Sequence, residues 1–301
     1  MTDLLENPGI ARLYKDVPPE QLEPFRRFRA EHTFKTIKLN GVSWEYYDLG
    51  SGPETRLTLT GALGIPTLEW RHLSVFEQTH RVLAPCYPPV DTMDALCDGL
   101  AGILRYEGIE RAHIQGGSYG GFVAQVFVRR YPAMTASLIL SHTQPPYPDD
   151  KGAAKLGRIL SLAKILPVGA LRRLMNRGLS KLMPEKTTES ALLFAIYREL
   201  LRFRLTKADV LGILSRTVDY ERHRFTPEDL ADWPGRILLM MTDNDRTTPE
   251  SVRADFKRLY PQARVHLFKG TGHVTSWEKA DEYRAVINEF LSGLKGVQTK
   301  T

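Results

Sequence analysis

The sequence predicts an α/β protein with a mostly parallel central sheet that is flanked by helices and carries an inserted helical cap. Short apolar runs alternate with stretches whose apolar residues recur at three- and four-residue steps, an order typical of parallel strands joined by helices. Between Lys151 and Asp232 this alternation stops and helical patterns follow one another. We therefore expect an N-terminal extension over 1–33, a core formed by 34–146 and 233–301, and a cap over 147–232.

Composition bounds the class of protein. Hydrophobic residues make up 42% and charged residues 25% of the 301 residues, as in ordinary globular proteins. No apolar run approaches the length of a membrane span, about 18 residues, and no secretory signal opens the chain. Cys86 and Cys97 lack a metal-type spacing and suit a reducing compartment. We expect a cytoplasmic protein without metal, cofactor or membrane span; the oligomeric state stays open, with a homodimer as one option.

The positive charge is concentrated in one segment. Residues 151–225 contain sixteen Lys or Arg and six Asp or Glu, whereas the whole chain carries a formal charge of +6. A solvated helical face is the simplest interpretation, and an anionic substrate, an acidic partner or a lipid surface are the alternatives. Because no aromatic platform or zinc finger accompanies the basic residues, we expect no nucleic-acid binding.

The first part of the chain predicts a helix and four strands. Residues 18–20 open a helix whose apolar stripe consists of Leu22, Phe25 and Phe28. Asn40-Gly41 joins two β-type runs into a hairpin. The strands expected in this part are 34–39, 42–47, 57–60 and 81–84.

The second part alternates helices and strands. Asp91 is expected to cap a helix, because apolar residues from Met93 to Leu104 recur at helical spacing. Thr248-Pro249-Glu250 opens another helix with proline at its first position, and apolar residues from Tyr283 to Leu294 predict a closing helix. The strands expected here are 112–114, 137–140, 236–241 and 265–268; the cap helices expected are 156–166, 171–183, 191–203 and 210–217.

One motif, centred on Ser118, carries a specific chemistry. Gly116-Gly117-Ser118-Tyr119-Gly120 lies between a strand run and a helical segment, which is the G-x-S-x-G pattern in a strand, turn and helix. Glycines are needed because so tight a turn strains the backbone and leaves no room for a Cβ where strand and helix cross. The pattern predicts a serine hydroxyl held at the end of the sheet.

A serine nucleophile needs a base, and the base needs an acid that orients it. Asp243 and Asp245 follow the strand 236–241, and His273 follows the strand 265–268. Because the carboxyl ends of parallel strands lie on one edge of a sheet, we expect Ser118, one of these aspartates and His273 to meet there. His142, which also follows a strand, is interpreted as a core or rim residue.

These motifs, in this order over 34–296, resemble the α/β-hydrolase fold with a helical cap. The resemblance implies Ser118 as nucleophile and His273 as general base. Asp245 matches the family's acid, an aspartate four residues before a proline, here Pro249. Asp243 is the alternative acid.

The resemblance also implies an oxyanion hole, whose first donor is the N–H of Tyr119. The second donor belongs to the loop after the strand 57–60. There the sequence Gly61-Ala62-Leu63-Gly64 replaces the His-Gly of many family members, so the donor is the N–H of Ala62 or Leu63. Trp70, Trp277 and Tyr119 are candidates for the pocket lining.

Finer features narrow the expected function. The Tyr87-Pro88 turn and the segment from Gly120 to Gln125 are similar to maspardin-like members, some of which are suspected of binding rather than catalysing. The family resemblance implies a serine hydrolase that cleaves a small-molecule carboxylic ester through an acyl-enzyme. Lactone, thioester and carbon–carbon bond hydrolysis are alternatives, and so is a non-catalytic binding or adaptor protein on the same scaffold.

Overall fold

The computed structural model describes residues 7–147 and 150–295, which form one eight-stranded sheet flanked by helices. Every strand expected from the sequence is present, so the predicted α/β class is confirmed. The strands are β1 (Lys35–Leu39), β2 (Val42–Leu49), β3 (Thr55–Leu59), β4 (Arg81–Pro85), β5 (Ala112–Gly117), β6 (Thr135–Ser141), β7 (Arg236–Thr242) and β8 (Arg264–Phe268).

The sheet runs in the order β1-β2-β4-β3-β5-β6-β7-β8. β1 and β2 form the expected antiparallel hairpin, and both Asn40 and Gly41 have positive φ, as a two-residue type I′ turn requires. β2 is also antiparallel to β4, whereas all pairs from β4 to β8 are parallel. The segments that follow β5, β7 and β8 therefore leave the sheet at the same edge.

Helices connect the strands and fill the stretch between β6 and β7. The α-helices are α1 (Pro8–Tyr14), α2 (Pro19–Glu31), α3 (Trp70–Phe76), α4 (Met93–Tyr106), α5 (Tyr119–Arg130), α6 (Asp150–Ile165), α7 (Val168–Leu179), α8 (Ala191–Glu199), α9 (Lys207–Tyr220), α10 (Glu250–Leu259), α11 (Thr275–Glu278) and α12 (Ala280–Lys295). The sequence missed α1, α3 and the 3₁₀ turn Pro66–Glu69 before α3. Segments of four to seven residues are too short to show a helical period.

Two helix starts differ from the expectation. The N-cap of α4 is Thr92, whose Oγ1 accepts a hydrogen bond from Ala95 N at 3.1 Å, so Asp91 is not the cap. α10 begins at Glu250, with Pro249 at the N-cap rather than at the first helical position. Neighbouring residues that can all begin a helix leave its start uncertain by about one or two residues.

The stretch between β6 and β7 consists of α6, α7, α8 and α9, with a π-helical turn at Leu200–Arg204 that prolongs α8. Helices were expected throughout this stretch. The division of the chain into extension, core and cap stays a prediction, and the ends 1–6 and 296–301 lie outside the described residues. Within the described ranges, no helix is both long and apolar enough to cross a membrane.

The N-terminal helix α2 packs on the body of the protein through its predicted stripe. Phe25 and Phe28 are buried, and their ring centroids lie 5.4 and 6.0 Å from that of Trp70 in α3. Arg29 Nη1 donates to Glu199 Oε1 at 2.8 Å, and Glu199, at the end of α8, is buried. The N-terminal helices are thereby joined to both the sheet side and the helices that follow β6.

The contact between α4 and β2 gives a testable prediction. A Cβ at Gly99 in α4 would lie 1.8 Å from the Trp44 ring of β2, whereas a Cβ at Gly157 in α6 would meet no atom within 4 Å. We expect Gly99→Ala to lower the free energy of unfolding by about 1–3 kcal/mol through overpacking. Gly157→Ala should raise it by about 0.5–1 kcal/mol, because it reduces backbone freedom without a clash. Urea unfolding of both variants checks this, and equal effects of the two substitutions would contradict it.

Candidate active site

Ser118 occupies a strained turn between β5 and α5. Its backbone has φ 52° and ψ −123°, and a positive φ of this kind costs a non-glycine residue about 1–3 kcal/mol. Ser118 N donates to Ser141 O at 2.9 Å, and Ser118 O accepts from Gly121 N at 2.9 Å and from Thr143 Oγ1 at 2.8 Å. The neighbouring strand β6 and the residues after it therefore hold the turn in place.

The glycines around Ser118 are required by close backbone approaches. A Cβ at Gly116 would lie 2.1 Å from Gly120 O, and a Cβ at Gly120 would lie 2.2 Å from Leu59 O. Both opposing atoms belong to the backbone, so no side-chain rotation relieves either clash. The G-x-S-x-G turn of this chain therefore needs its glycines, because it leaves no room for a Cβ at these two positions.

Ser118, His273 and Asp245 are within hydrogen-bonding distance of one another in series. His273 Nε2 lies 2.9 Å from Ser118 Oγ, and His273 Nδ1 lies 2.7 Å from Asp245 Oδ2. In the tautomer that carries its proton on Nδ1, His273 donates to the carboxylate and accepts from the Ser118 hydroxyl. A nucleophile, a base and an orienting acid have this geometry.

Asp245, rather than Asp243, faces the histidine. Asp245 Oδ1 accepts from the N and the Oγ1 of Thr247, both at 2.8 Å. Burial by itself would raise the pKa of the Asp245 carboxyl, but hydrogen bonds from His273 and Thr247 and the charge of His273 lower it to about 2. Asp243 Oδ1 accepts from Gly270 N at 2.8 Å and braces the loop that leads to His273.

The candidate oxyanion donors lie on two sides of Ser118. Tyr119 is the first residue of α5, so its N–H has no acceptor within the helix. The Tyr119 hydroxyl accepts from Arg216 Nε at 2.7 Å, which holds the ring in the protein interior. Ala62 and Leu63 follow β3 and line the same cavity as Ser118. The backbone at 119 and at 62–63 is thus available to a group bound at the serine.

Ser118 and His273 line a partly open cavity of about 140 Å³. Residues from α7 and the segment after it cover the serine, so the helices that follow β6 form part of the wall. No Lys or Arg is found among the described residues of this wall, although the covering segment is rich in both. The wall is largely apolar, with Ala62, Leu63, Ile65, Leu68, Leu179, Leu182, Met183 and Val274.

None of the three aromatic side chains predicted for the pocket, Trp70, Tyr119 and Trp277, lines this cavity. Trp70 is buried against Phe25 and Phe28 of the N-terminal helix α2, a contact partner that the sequence could not assign to it. Trp277 instead lines an outer cleft together with Asp245 and His273. The Arg71 guanidinium carbon lies 4.4 Å from the centre of the Trp277 ring.

Sequence reasoning missed the environment of His142. Its ring centroid lies 6.1 Å from that of His273, and its Nε2 is 2.9 Å from Thr275 Oγ1. Burial and the neighbouring His273 lower the pKa of His142 to about 3, so it stays neutral beside the base. No group of three or more His, Cys, Asp or Glu in the described part of the chain is placed to hold a metal ion.

A second missed residue, Glu69, stands at the end of the 3₁₀ turn and lines the cavity with Ser118. Glu69 is half-buried and borders the cavity. Burial alone raises the pKa of Glu69 to about 7. Its neighbours in sequence, Leu68 and Trp70, form no motif with it, so no sequence signal marks it.

Comparison with known proteins assigns the family. Residues 41–286 match the model described as the alpha/beta hydrolase family. The chain belongs to this family. The expected α/β-hydrolase fold is thereby confirmed, whereas the finer similarity to maspardin-like members stays a prediction.

Relatives of this α/β hydrolase carry several activities in their names. A 2-hydroxy-6-oxononadienedioate/2-hydroxy-6-oxononatrienedioate hydrolase of Burkholderia vietnamiensis is 26% identical over 269 residues, covering 82% of this chain and 90% of the relative. A thermophilic esterase from Thermogutta terrifontis has a TM-score of 0.70 at 19% identity, covering 87% of this chain and 99% of its own. A meta-cleavage product hydrolase from Pseudomonas fluorescens IP01 has a TM-score of 0.65 at 22% identity, covering 88% and 99%.

The shifted carboxyl of Glu69 predicts a pH-dependent change in stability. Folded Glu69 holds its proton up to about pH 7, whereas an unfolded glutamate loses it near its ordinary pKa of about 4.3. The folded state therefore loses stability as pH rises between these values, and Glu69→Gln removes that loss. We expect the variant to melt a few degrees above the parent at pH 8, and close to it at pH 4.5. Calorimetry at both pH values measures this, and an equal Tm difference at the two would contradict it.

Proposed function

We propose that this α/β hydrolase is a serine hydrolase that cleaves a carboxylic ester of a small molecule. The observation that carries the proposal is the series of contacts from Ser118 Oγ to His273 at 2.9 Å and from His273 to Asp245 at 2.7 Å. The largely apolar cavity at the serine supports an uncharged acyl or alcohol group as the part of the substrate beside the scissile bond.

In the proposed reaction, Ser118 Oγ attacks the ester carbonyl while His273 Nε2 takes the hydroxyl proton. Asp245 is ionised at neutral pH because its pKa is lowered to about 2. It therefore holds His273 in the tautomer that accepts this proton and stabilises the imidazolium that forms. His273 then protonates the leaving alcohol, and the acyl group remains on Ser118. Water, deprotonated by His273, releases the acid and restores the serine.

The negative oxygen of the tetrahedral intermediate needs two N–H donors. We assign these to Tyr119 and to Ala62 or Leu63, which are available beside the serine. Loss of one such donor typically raises the barrier by about 2.7–4 kcal/mol. The loop Gly61 to Gly64 is held by a hydrogen bond from Gly64 N to Gly61 O at 3.0 Å, so its backbone is fixed before the substrate binds.

Carbon–carbon bond hydrolysis is the second candidate, because relatives are named for 2-hydroxy-6-oxo dioates. Such a substrate contains a ketone and no ester, so a hydrolase must break a carbon–carbon bond in it. A dioate also carries two carboxylates. The described wall of the cavity contains Glu69 and no Lys or Arg, an arrangement that opposes a dianion. An ester therefore fits the cavity better than the dioate of these relatives.

A non-catalytic binding or adaptor role is not favoured. The family is one of hydrolases, and the serine, histidine and aspartate are held within hydrogen-bonding distance by three separate strand ends. The proposed partner is a small-molecule ester. A cytoplasmic location and the oligomeric state stay as predictions from the sequence.

Hydrolysis of p-nitrophenyl esters of increasing acyl length tests the proposed function. We expect the parent to release p-nitrophenol and Ser118→Ala to lose on the order of 10⁶ in turnover, as other serine hydrolases do when the nucleophile is removed. Ser251→Ala, an exposed serine in α10, is the matched control and should retain parental rates. A parent that hydrolyses no ester, with Ser118 unlabelled by a fluorophosphonate probe, would overturn the ester hydrolase.

Paired substitutions of the two aspartates test the assignment of the acid. Asp245→Asn keeps the shape of the side chain but removes the charge that faces His273, and turnover should fall by about 10⁴. Asp243→Asn should change turnover less than tenfold, because an amide oxygen can still accept from Gly270 N. Steady-state kinetics on one ester measures both. A larger loss for Asp243→Asn than for Asp245→Asn would reverse the assignment.

A further inference from the structure

Glu69 has no role in the serine chemistry, yet it lines the same cavity. The 3₁₀ turn Pro66–Glu69 brings it there from the loop that also carries Ala62 and Leu63. Among the described residues, no hydrogen bond or ion pair reaches its carboxyl, and burial is the sole cause that acts on its pKa. A carboxyl enclosed in this way is unfavourable for the free protein unless something else provides a partner.

Arg56 is a basic residue of the sheet, and its buried Nε and Nη1 have no hydrogen-bond partner among the described residues. Arg56 in β3 is fully buried, donates through Nη2 to Gln115 Oε1, and lies 3.4 Å from the centre of the Phe76 ring. It makes no ion pair with Glu69. The described wall of the cavity contains no Lys or Arg, so no side chain of this wall supplies a counter-charge to Glu69.

Two further polar groups of the cavity wall lack partners. The buried Thr58 Oγ1 and the Tyr197 hydroxyl form no hydrogen bond within the described structure. By contrast, the Ser141 hydroxyl and the Tyr283 hydroxyl of the same wall satisfy each other at 3.0 Å. Thr58 Oγ1 and the Tyr197 hydroxyl oxygen both lack surface that is open to the cavity, so a ligand there would meet the Glu69 carboxyl rather than these two hydroxyls.

We propose that Glu69 binds a protonated amine of the substrate, so that the ester cleaved at Ser118 carries an ammonium group that reaches the Glu69 side of the cavity. This inference rests on the proposed ester hydrolase and specifies its substrate class. The ammonium N–H donates to the Glu69 carboxylate and supplies the missing counter-charge. The apolar wall takes the carbon chain between the amine and the ester.

Matched pairs of esters test the proposal on both sides of the scissile bond. The alcohol-side pair is the butyrate ester of N,N-dimethylaminoethanol and that of 3-methylbutanol, which share one skeleton and differ in an ammonium nitrogen. The acyl-side pair is ethyl 4-(dimethylamino)butanoate and ethyl 5-methylhexanoate. For at least one pair we expect kcat/KM to favour the ammonium ester by about 10–100-fold, the range of a hydrogen bond to a charged group.

Two variants test whether the preference for the ammonium ester depends on Glu69. Glu69→Gln keeps the size of the side chain and removes its charge, so the ratio of kcat/KM between the ammonium ester and its neutral partner should fall to about one. Glu110→Gln makes the same change of charge at an exposed residue before β5 and should keep the preference. A preference that persists in Glu69→Gln, or its absence from both pairs in the parent, would overturn the proposal.

A binding measurement separates this proposal from the ester hydrolase itself. n-Butylamine hydrochloride should raise the Tm of the parent and of Glu110→Gln, but not that of Glu69→Gln, with sodium chloride and butan-1-ol as controls. If no ester is hydrolysed and the amine still raises the Tm through Glu69, the ester chemistry fails and the amine site stands. If neutral esters are hydrolysed but no ammonium ester is favoured and the amine does not raise the Tm, the amine site fails and the ester hydrolase stands.

Discussion

The backbone turn at Ser118 sets the geometry on which the site depends. A positive φ at a serine is unfavourable, and it persists because the surrounding backbone leaves no alternative path from β5 into α5. Gly116 and Gly120 allow backbone contacts that any Cβ would block. Ser118 N donates to Ser141 O, Thr143 Oγ1 donates to Ser118 O, and these two hydrogen bonds fix the turn against the end of β6. The serine hydroxyl is thus positioned by the sheet itself, before any substrate binds.

Two carboxyls near the serine show opposite electrostatic behaviour, and their hydrogen bonds explain the difference. Asp245 receives hydrogen bonds from Thr247 and His273, which lower its pKa to about 2 against the effect of burial. Glu69 receives no hydrogen bond from the part of the chain that the structure describes, and burial raises its pKa to about 7. The first carboxylate is a permanent negative charge that orients the histidine. The Glu69 carboxyl changes its charge with its surroundings, which suits the binding of a ligand better than the orientation of His273.

The helices between β6 and β7 contribute apolar side chains, but no described Lys or Arg, to the wall of the cavity. Leu179, Leu182 and Met183 reach over the serine, while the lysines and arginines of the same stretch stay out of the described wall. The excess charge of this segment therefore does not supply a binding site for an anion inside the cavity. The ion pair between the partly exposed Arg29 and the buried Glu199 links α2 to the end of α8, so the N-terminal helices also help to hold these helices in place.

Local sequence patterns determined the strands, the glycine turn and the order of serine, aspartate and histidine. Each of these depends on residues a few positions apart: alternating apolar runs, Asn40-Gly41 at the hairpin, and the glycines around Ser118. Tertiary structure decided the rest, because those features depend on residues far apart in the chain. It brought His273 to Asp245 rather than to Asp243, and it buried Trp70 under α2 instead of in the cavity. It also placed Glu69 in the cavity wall, where no described side chain bonds to its carboxyl. Burial and the identity of the neighbour set the role of these side chains, and neither can be read from a local motif.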